Sequence, residues 1–147
     1  MKVYQKTIAI KTKEQFDIID LTEKIKSFVK ESSVKNGLIN IQTLHTTATV
    51  FIQENEPLLL EDIKKYLERI APQSIQYNHD DFGRRTVNVC EDECRNGHSH
   101  CKALNLPANV TLNLVDGEAQ LGRWQAVLFI ELDSSRERKV QCQIIGE

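Results

Sequence analysis

The sequence predicts an α+β fold, a strand-rich antiparallel sheet or sandwich with two main helices and one short helix. Three observations carry that expectation. Apolar and polar residues alternate over Val3–Lys11, Leu38–Leu44 and Asn109–Val115, the period of a half-buried strand. Two other stretches repeat their apolar residues at helical spacing. Asp116-Gly117 between strand patterns is a strong two-residue hairpin signal.

In chain order, the first strand puts Tyr4, Lys6, Ile8 and Ile10 on one face, and Phe16–Ile19 is expected to pair with it as an opening hairpin. Asp20 with Glu23 three residues on reads as a capping box, followed by a stripe of Leu21, Ile25, Phe28 and Val29. That helix should end near Ser32–Val34, and Asn36-Gly37 turns the chain into a strand that delivers His45 near its end. Glu56-Pro57 opens the second helix, because proline at the first helical position gives up no needed N–H. Leu59, Ile63, Leu67 and Ile70 continue it, Asp62 is expected to face back toward Glu56, and Pro72 lies beyond its end. Residues 73–93 are polar and irregular and read as a long loop, a type of segment that is often functional. Asn96 is expected to cap a short helix through about Asn105. Strands over Trp124–Leu132 and Lys139–Ile145 complete the C-terminal third, with Trp124 expected in the core of a meander.

The chain has 147 residues, 40% hydrophobic and 27% charged, with a formal net charge of -2. This fits one domain over 1–147 with a core that needs no disulfide staples. The near-neutral balance argues against nucleic acid and against an anionic membrane surface as partners. No apolar run approaches the roughly 20 residues that cross a bilayer, and the N-terminal alternation is unlike a signal-peptide core. A cytoplasmic protein is expected, with its four cysteines as thiols or metal ligands.

The chemistry concentrates in His45-Thr46-Thr47 and, after the apolar anchor Val50-Phe51-Ile52, in Asn55-Glu56. His79, His98 and His100 lie in loops or element ends, and imidazoles beside carboxylates are the usual ingredients of metal or acid–base sites. Two helical steps of about 100° separate His98 from His100 onto nearly opposite faces, so one of them at most enters a common site. A rival reading places structural zinc on Cys90, Cys94, Cys101 and His98, although the spacing lacks a Cys-x-x-Cys pair.

The ordered set of His45-Thr46-Thr47-Ala48, Glu54-Asn55-Glu56-Pro57 with Asp62, Tyr77-Asn78-His79, Asn96-Gly97-His98-Ser99-His100 with Lys102, Leu121-Gly122-Arg123-Trp124-Gln125, Glu131-Leu132-Asp133 and Ile144-Ile145-Gly146-Glu147 resembles the YjbQ-like family. The resemblance implies a small α+β fold assembled as a homotrimer and a secondary thiamine phosphate synthase activity, joining a hydroxymethylpyrimidine diphosphate to a thiazole phosphate with release of pyrophosphate. It implies His45, His79 and His100 as metal ligands, for zinc or magnesium, and ranks His98 below them. The catalytic candidates are His45, Glu56, Asp62 and Glu131. A phosphorylated small molecule is expected on Thr46, Thr47, Asn55, Asn96, Lys102, Gln125 and Arg136, with Arg138 as a further phosphate contact. Arg123, and Ser134-Ser135-Arg136 in place of the usual Asp-Gly-Pro-Arg turn, depart from the family pattern. Two other classes compete: a zinc-dependent hydrolase using the histidine cluster, and a non-enzymatic trimer that binds a small anion.

Overall fold

A computed structural model describes residues 1–147. Strand β1 (Lys2–Lys11) leads to β2 (Ile18–Asp20), helix α1 (Thr22–Ser32), β3 (Gly37–Thr43), β4 (Ala48–Gln53) and α2 (Pro57–Ile70). A 3-10 turn (Asn78–Asp80), α3 (Gly97–Ala103), β5 (Asn109–Val115), β6 (Glu118–Ala119), β7 (Ala126–Glu131) and β8 (Glu137–Gly146) follow. The strands form two antiparallel sheets, one of five in the order β1-β8-β3-β5-β6 and one of three in the order β2-β7-β4. The α+β fold is therefore observed, as two sheets with three α-helices.

The inward residues of the larger sheet, including Ile39, Ile41, Leu112, Val140 and Ile144, pack against Leu21 just before α1, against Ile25, Phe28 and Val29 of α1 and against Val50, Val127 and Phe129 of the smaller sheet. Full burial of such a side chain contributes about 1.5–3 kcal/mol. On its other face the smaller sheet presents Phe51, Ala126, Leu128 and Ile130 to Leu67 of α2 and to Ala103 at the end of α3. The all-apolar run of β7 is thus covered on both faces within one chain. Gly37 and Gly146 face each other across β3 and β8, where an added Cβ at either would meet the opposing backbone.

Four expectations are corrected. The opening hairpin does not form: β1 pairs with β8, while β2 pairs with β7 in the other sheet. Phe16 adopts φ 62° as the chain leaves one sheet for the other. Asp20 does accept Thr22 N at 2.8 Å, but Leu21 is the capping position and Glu23 turns to Lys26 at 2.9 Å, so no capping box exists. Asn96 makes no side-chain cap; Asp80 Oδ1 accepts the N–H groups of Asn96 and Gly97 instead, each at 2.9 Å. Trp124 precedes β7 and is 63% exposed, so it anchors no core and no meander.

α2 starts at Pro57 as expected, and Glu56 before it forms a double cap. Its two carboxylate oxygens accept Leu58 N at 2.9 Å and Leu59 N at 2.8 Å, with Pro57 at the first helical position. Glu56→Ala is expected to lower stability by about 0.5–2 kcal/mol, and Glu56→Ser, which restores a capping oxygen, to recover most of it. Urea unfolding decides the point, since an alanine variant as stable as the parent would show that the cap contributes nothing.

Candidate functional site

His45 lies just beyond the end of β3, where the chain turns toward β4. Its Nε2 accepts Lys139 N at 2.7 Å while Leu44 N donates to Lys139 O, so the ring is hooked onto the start of β8. Burial and the nearby Arg138 guanidinium hold His45 below the usual histidine range, which keeps it neutral near pH 7. His45, Thr46, Thr49, His100 and Cys101 line one cleft of about 400 Å³ between this corner and α3.

The corner is braced from inside by charge. Arg138 donates through Nε to Glu131 Oε2 at 2.7 Å, through Nη2 to Glu131 Oε1, and through Nη2 to Thr47 Oγ1 at 3.0 Å. Thr12 Oγ1 and Asp133 N donate to the same carboxylate, each at 3.0 Å. Glu131 and Thr47, read from sequence as catalytic and substrate-binding, are buried and face this brace. Arg138 is likewise committed to it. Arg136 is held by Asp133 Oδ2 through Nε at 2.9 Å and Nη2 at 2.6 Å, and Asn96 Nδ2 reaches the same oxygen at 3.4 Å.

The 3-10 turn brings His79 to His100, with ring centroids 4.5 Å apart and planes at 64°. His79 Nε2 is buried without a hydrogen-bond partner and lies 3.7 Å from Glu93 Oε1. Burial, His79 and Arg85 lower the pKa of His100, so it too is neutral near pH 7. The arrangement is a pair of imidazoles with a third nearby whose Nε2 is engaged. No three His, Cys, Asp or Glu side chains of the chain gather at metal-holding spacing, so one chain does not supply a complete metal site. The same finding leaves Cys90, Cys94, Cys101 and His98 short of the proposed zinc centre; all four cysteines are free, and Cys94 Sγ sits 3.5 Å from Asp133 Oδ1.

The helical spacing of His98 and His100 holds in space. His98 turns inward to Lys102, whose Nζ lies 3.2 Å from His98 Nδ1, 2.7 Å from Ala71 O and 3.0 Å from Glu68 Oε2. Lys102 is fully buried, and its ammonium ties the C-terminus of α2 to α3 instead of opening onto a cleft. Asn55, Glu56 and Gln125 lie past the far end of β4, in a second cleft of about 450 Å³ with Arg123 and Trp124. Asn55 Nδ2 donates to Asp20 Oδ2 at 3.0 Å, and Gln125 Oε1 accepts Gly122 N at 2.7 Å. Asp62 stands on the exposed face of α2, 3.5 Å from Lys65, and does not turn back to Glu56. The residues named from sequence therefore divide between two clefts and a buried brace. Thr12, Gln15, Arg85, Glu93 and Asp133 also build these sites; Asp133 belongs to the Glu131-Leu132-Asp133 stretch, while the others lie in polar stretches with no local signal.

The sequence matches the family described as UPF0047 protein YjbQ-like over residues 6–147. The chain belongs to the YjbQ-like family. A UPF0047 protein of Methanothermobacter thermautotrophicus is 31% identical over 147 residues, covering 100% of this chain and 95% of the relative. A YbjQ-like protein of unknown function from Sulfolobus solfataricus has a crystal structure that superposes with a TM-score of 0.87 at 32% identity, over 99% of both chains. A hypothetical protein of Aeropyrum pernix gives a TM-score of 0.85 at 29% identity, over 98% of this chain and 99% of that one. These YjbQ-like relatives share the α+β architecture described above.

Proposed function

We propose that the protein is a cytoplasmic thiamine phosphate synthase-like transferase that acts on phosphorylated small molecules in the cleft of His45 and His100. The observation that carries this reading is the convergence of two neutral imidazoles, His45 and His100, with the exposed Thr46 on one cleft of about 400 Å³. The activity itself is the one that the sequence resemblance implies, and membership of the YjbQ-like family keeps that resemblance in force.

In the reaction the bond between the pyrimidine methylene carbon and the diphosphate oxygen breaks, the thiazole nitrogen forms a new bond to that carbon, and pyrophosphate leaves. His100 offers a ring N–H to an oxygen of the leaving group, and Thr46 orients the substrate by a hydrogen bond, a role that preorganised donors perform in water-poor sites. The test mixes purified protein with both substrates and magnesium ions. Thiamine phosphate and equimolar pyrophosphate are expected, and His100→Ala is expected to reduce kcat/KM by about 100-fold or more. No product, beside an active control synthase, overturns the reading.

One observation favours a second reading, a zinc-dependent hydrolase: the unpartnered, buried Nε2 of His79 beside the His100 ring. The remaining ligands would come from another chain, since one chain supplies only this pair. A homotrimer is proposed with it. It would cover the exposed apolar neighbours Val3, Ile145 and Leu38, which stand in register across β1, β8 and β3. Light scattering gives the mass and elemental analysis the zinc content; a zinc-free monomer overturns this reading.

A further inference from the structure

A cleft of about 780 Å³ that none of His45, His79 and His100 lines opens beside the loop Gln73–Gly83, with Arg95 and His98 completing its wall. Its volume falls in the range of small-molecule sites, about 300–1,000 Å³. His98 is 3% exposed. Its Nδ1 lies 3.2 Å from Lys102 Nζ, 3.3 Å from Gln15 Nε2 and 3.2 Å from Ser99 Oγ; the hydroxyl already donates to Leu132 O, while the ammonium and the amide nitrogen only donate and two donors outweigh it. Nδ1 is therefore the acceptor, and the proton of the neutral ring resides on Nε2. That Nε2–H has no acceptor in the protein, and Nδ1 faces inward, so the ring edge that lines the cleft is the one that carries Nε2.

Asp80 lines the same cleft and supplies the opposite polarity. Oδ1 is spent on the N–H groups of Asn96 and Gly97, whereas Oδ2 has no protein partner. The cleft thus pairs a fixed N–H donor with a fixed carboxylate acceptor, the complement of a ring nitrogen beside an exocyclic amino group. Asparagine and glutamine read adenine through the same donor–acceptor pattern. Tyr77 and Phe82 add aromatic surface to the wall, and Arg95 makes no ion pair within the chain.

We propose that this cleft binds an amino-substituted nucleobase as its nucleotide, with the ring nitrogen on His98 Nε2–H, the amino group on Asp80 Oδ2 and the phosphate on Arg95. Uracil presents an N–H where cytosine presents a lone pair, so it sets donor against donor at His98 and leaves both unpaired. The site is separate from the transferase cleft, and its test reads binding without turnover, so failure of either reading leaves the other standing.

Calorimetric titration of the full chain with CMP, UMP and cytidine tests it. CMP is expected to bind about 10-fold or more tightly than UMP, consistent with a lost hydrogen bond that leaves buried groups unpaired, and to shift the His98 Nε2 resonance. Asp80→Asn keeps the Oδ1 acceptor for the helix and turns the Oδ2 acceptor into a donor, so it should collapse the CMP-to-UMP ratio. Arg95→Ala, at an exposed position, should bring CMP down to the affinity of cytidine and leave cytidine unchanged. Equal affinities for CMP and UMP, no binding at millimolar CMP, or an Arg95→Ala protein that binds CMP as the parent does would each overturn the proposal, and all three hold even if Asp80→Asn does not fold.

Discussion

Replacing Arg138 by methionine will lower the unfolding free energy by about 3–5 kcal/mol, the cost of leaving one member of a buried ion pair without its partner. Arg138 is 5% exposed and Glu131 fully buried. The side chain sits on the inward register of β8 with Val140, Cys142 and Ile144, so no water waits to replace the guanidinium. Without it the Glu131 carboxylate keeps only Thr12 Oγ1 and Asp133 N. Methionine fills much of the vacated volume, so the loss reports charge more than cavity. Removing both charges in Glu131→Leu/Arg138→Met should recover most of the loss, because the desolvation cost of both ions disappears together. Urea unfolding of the three proteins decides it. A single-variant loss below about 1 kcal/mol, the size of an exposed pair, would mean that the brace is hydrated.

That brace explains how a strand end becomes a site. Thr47 lies two residues beyond His45, and its hydroxyl and carbonyl are held by Arg138 and by Leu132 N. His45 itself is held by the backbone of β8, the strand that carries Arg138. The cleft residues Thr46 and His45 are therefore positioned by groups that do not open onto the cleft. Loss of Glu131 or Arg138 would reach any chemistry there through geometry.

Elements whose signal is local were legible in the sequence. The strand alternation, the α1 stripe, Pro57 at the start of α2 and the Asp116-Gly117 turn all appear where expected, with Asp116 at φ 52° and Gly117 at φ 82°. Pairing was not legible, because β1 finds β8 more than a hundred residues away and proximity in sequence favoured the nearer strand. Trp124 misled for a related reason: Ala126–Ile130 alone fill both faces of β7, and nothing in the sequence marks where inward packing starts. Among the site residues, the opposite facing of His98 and His100 followed from helical spacing. The start of α2 was legible from Pro57, whereas Glu56, expected as a catalytic group, turns out to cap the helix with both carboxylate oxygens. Asp80 caps α3 from 16 residues away, a contact that no local pattern announces.

The second large effect is expected at Lys102, where methionine should cost about 2–3 kcal/mol at neutral pH, the scale of lost hydrogen bonds to a charged group. The ammonium is fully buried and serves Ala71 O, Glu68 and His98 Nδ1 at once. The substitution leaves the Ala71 carbonyl without its donor and the buried Glu68 Oε2 without its cation, although the Glu68 side chain as a whole is 42% exposed. The pH dependence identifies the mechanism. Burial first, and then the Lys102 charge, hold the His98 imidazole below the usual histidine range. A histidine with a depressed folded pKa contributes stability that is present above its unfolded value, about 6.5, and is lost as pH falls below it, because the unfolded chain then binds a proton that the fold refuses. Removing Lys102 lifts one cause of that depression. The His98 pKa should rise in Lys102→Met, and the stability gap between variant and parent should narrow as pH falls from about 8 to about 5.5. His45 and His100 are depressed as well, but Lys102 is not among the causes, so their contributions cancel in the difference; Glu68 is held low partly by Lys102, and its share is lost only as pH falls toward the ordinary carboxylate range, below the interval scanned. Urea unfolding across this range, with NMR titration of the His98 ring, measures both quantities. A gap that stays constant, together with an unmoved His98 titration, would show that the ammonium does not act on the ring.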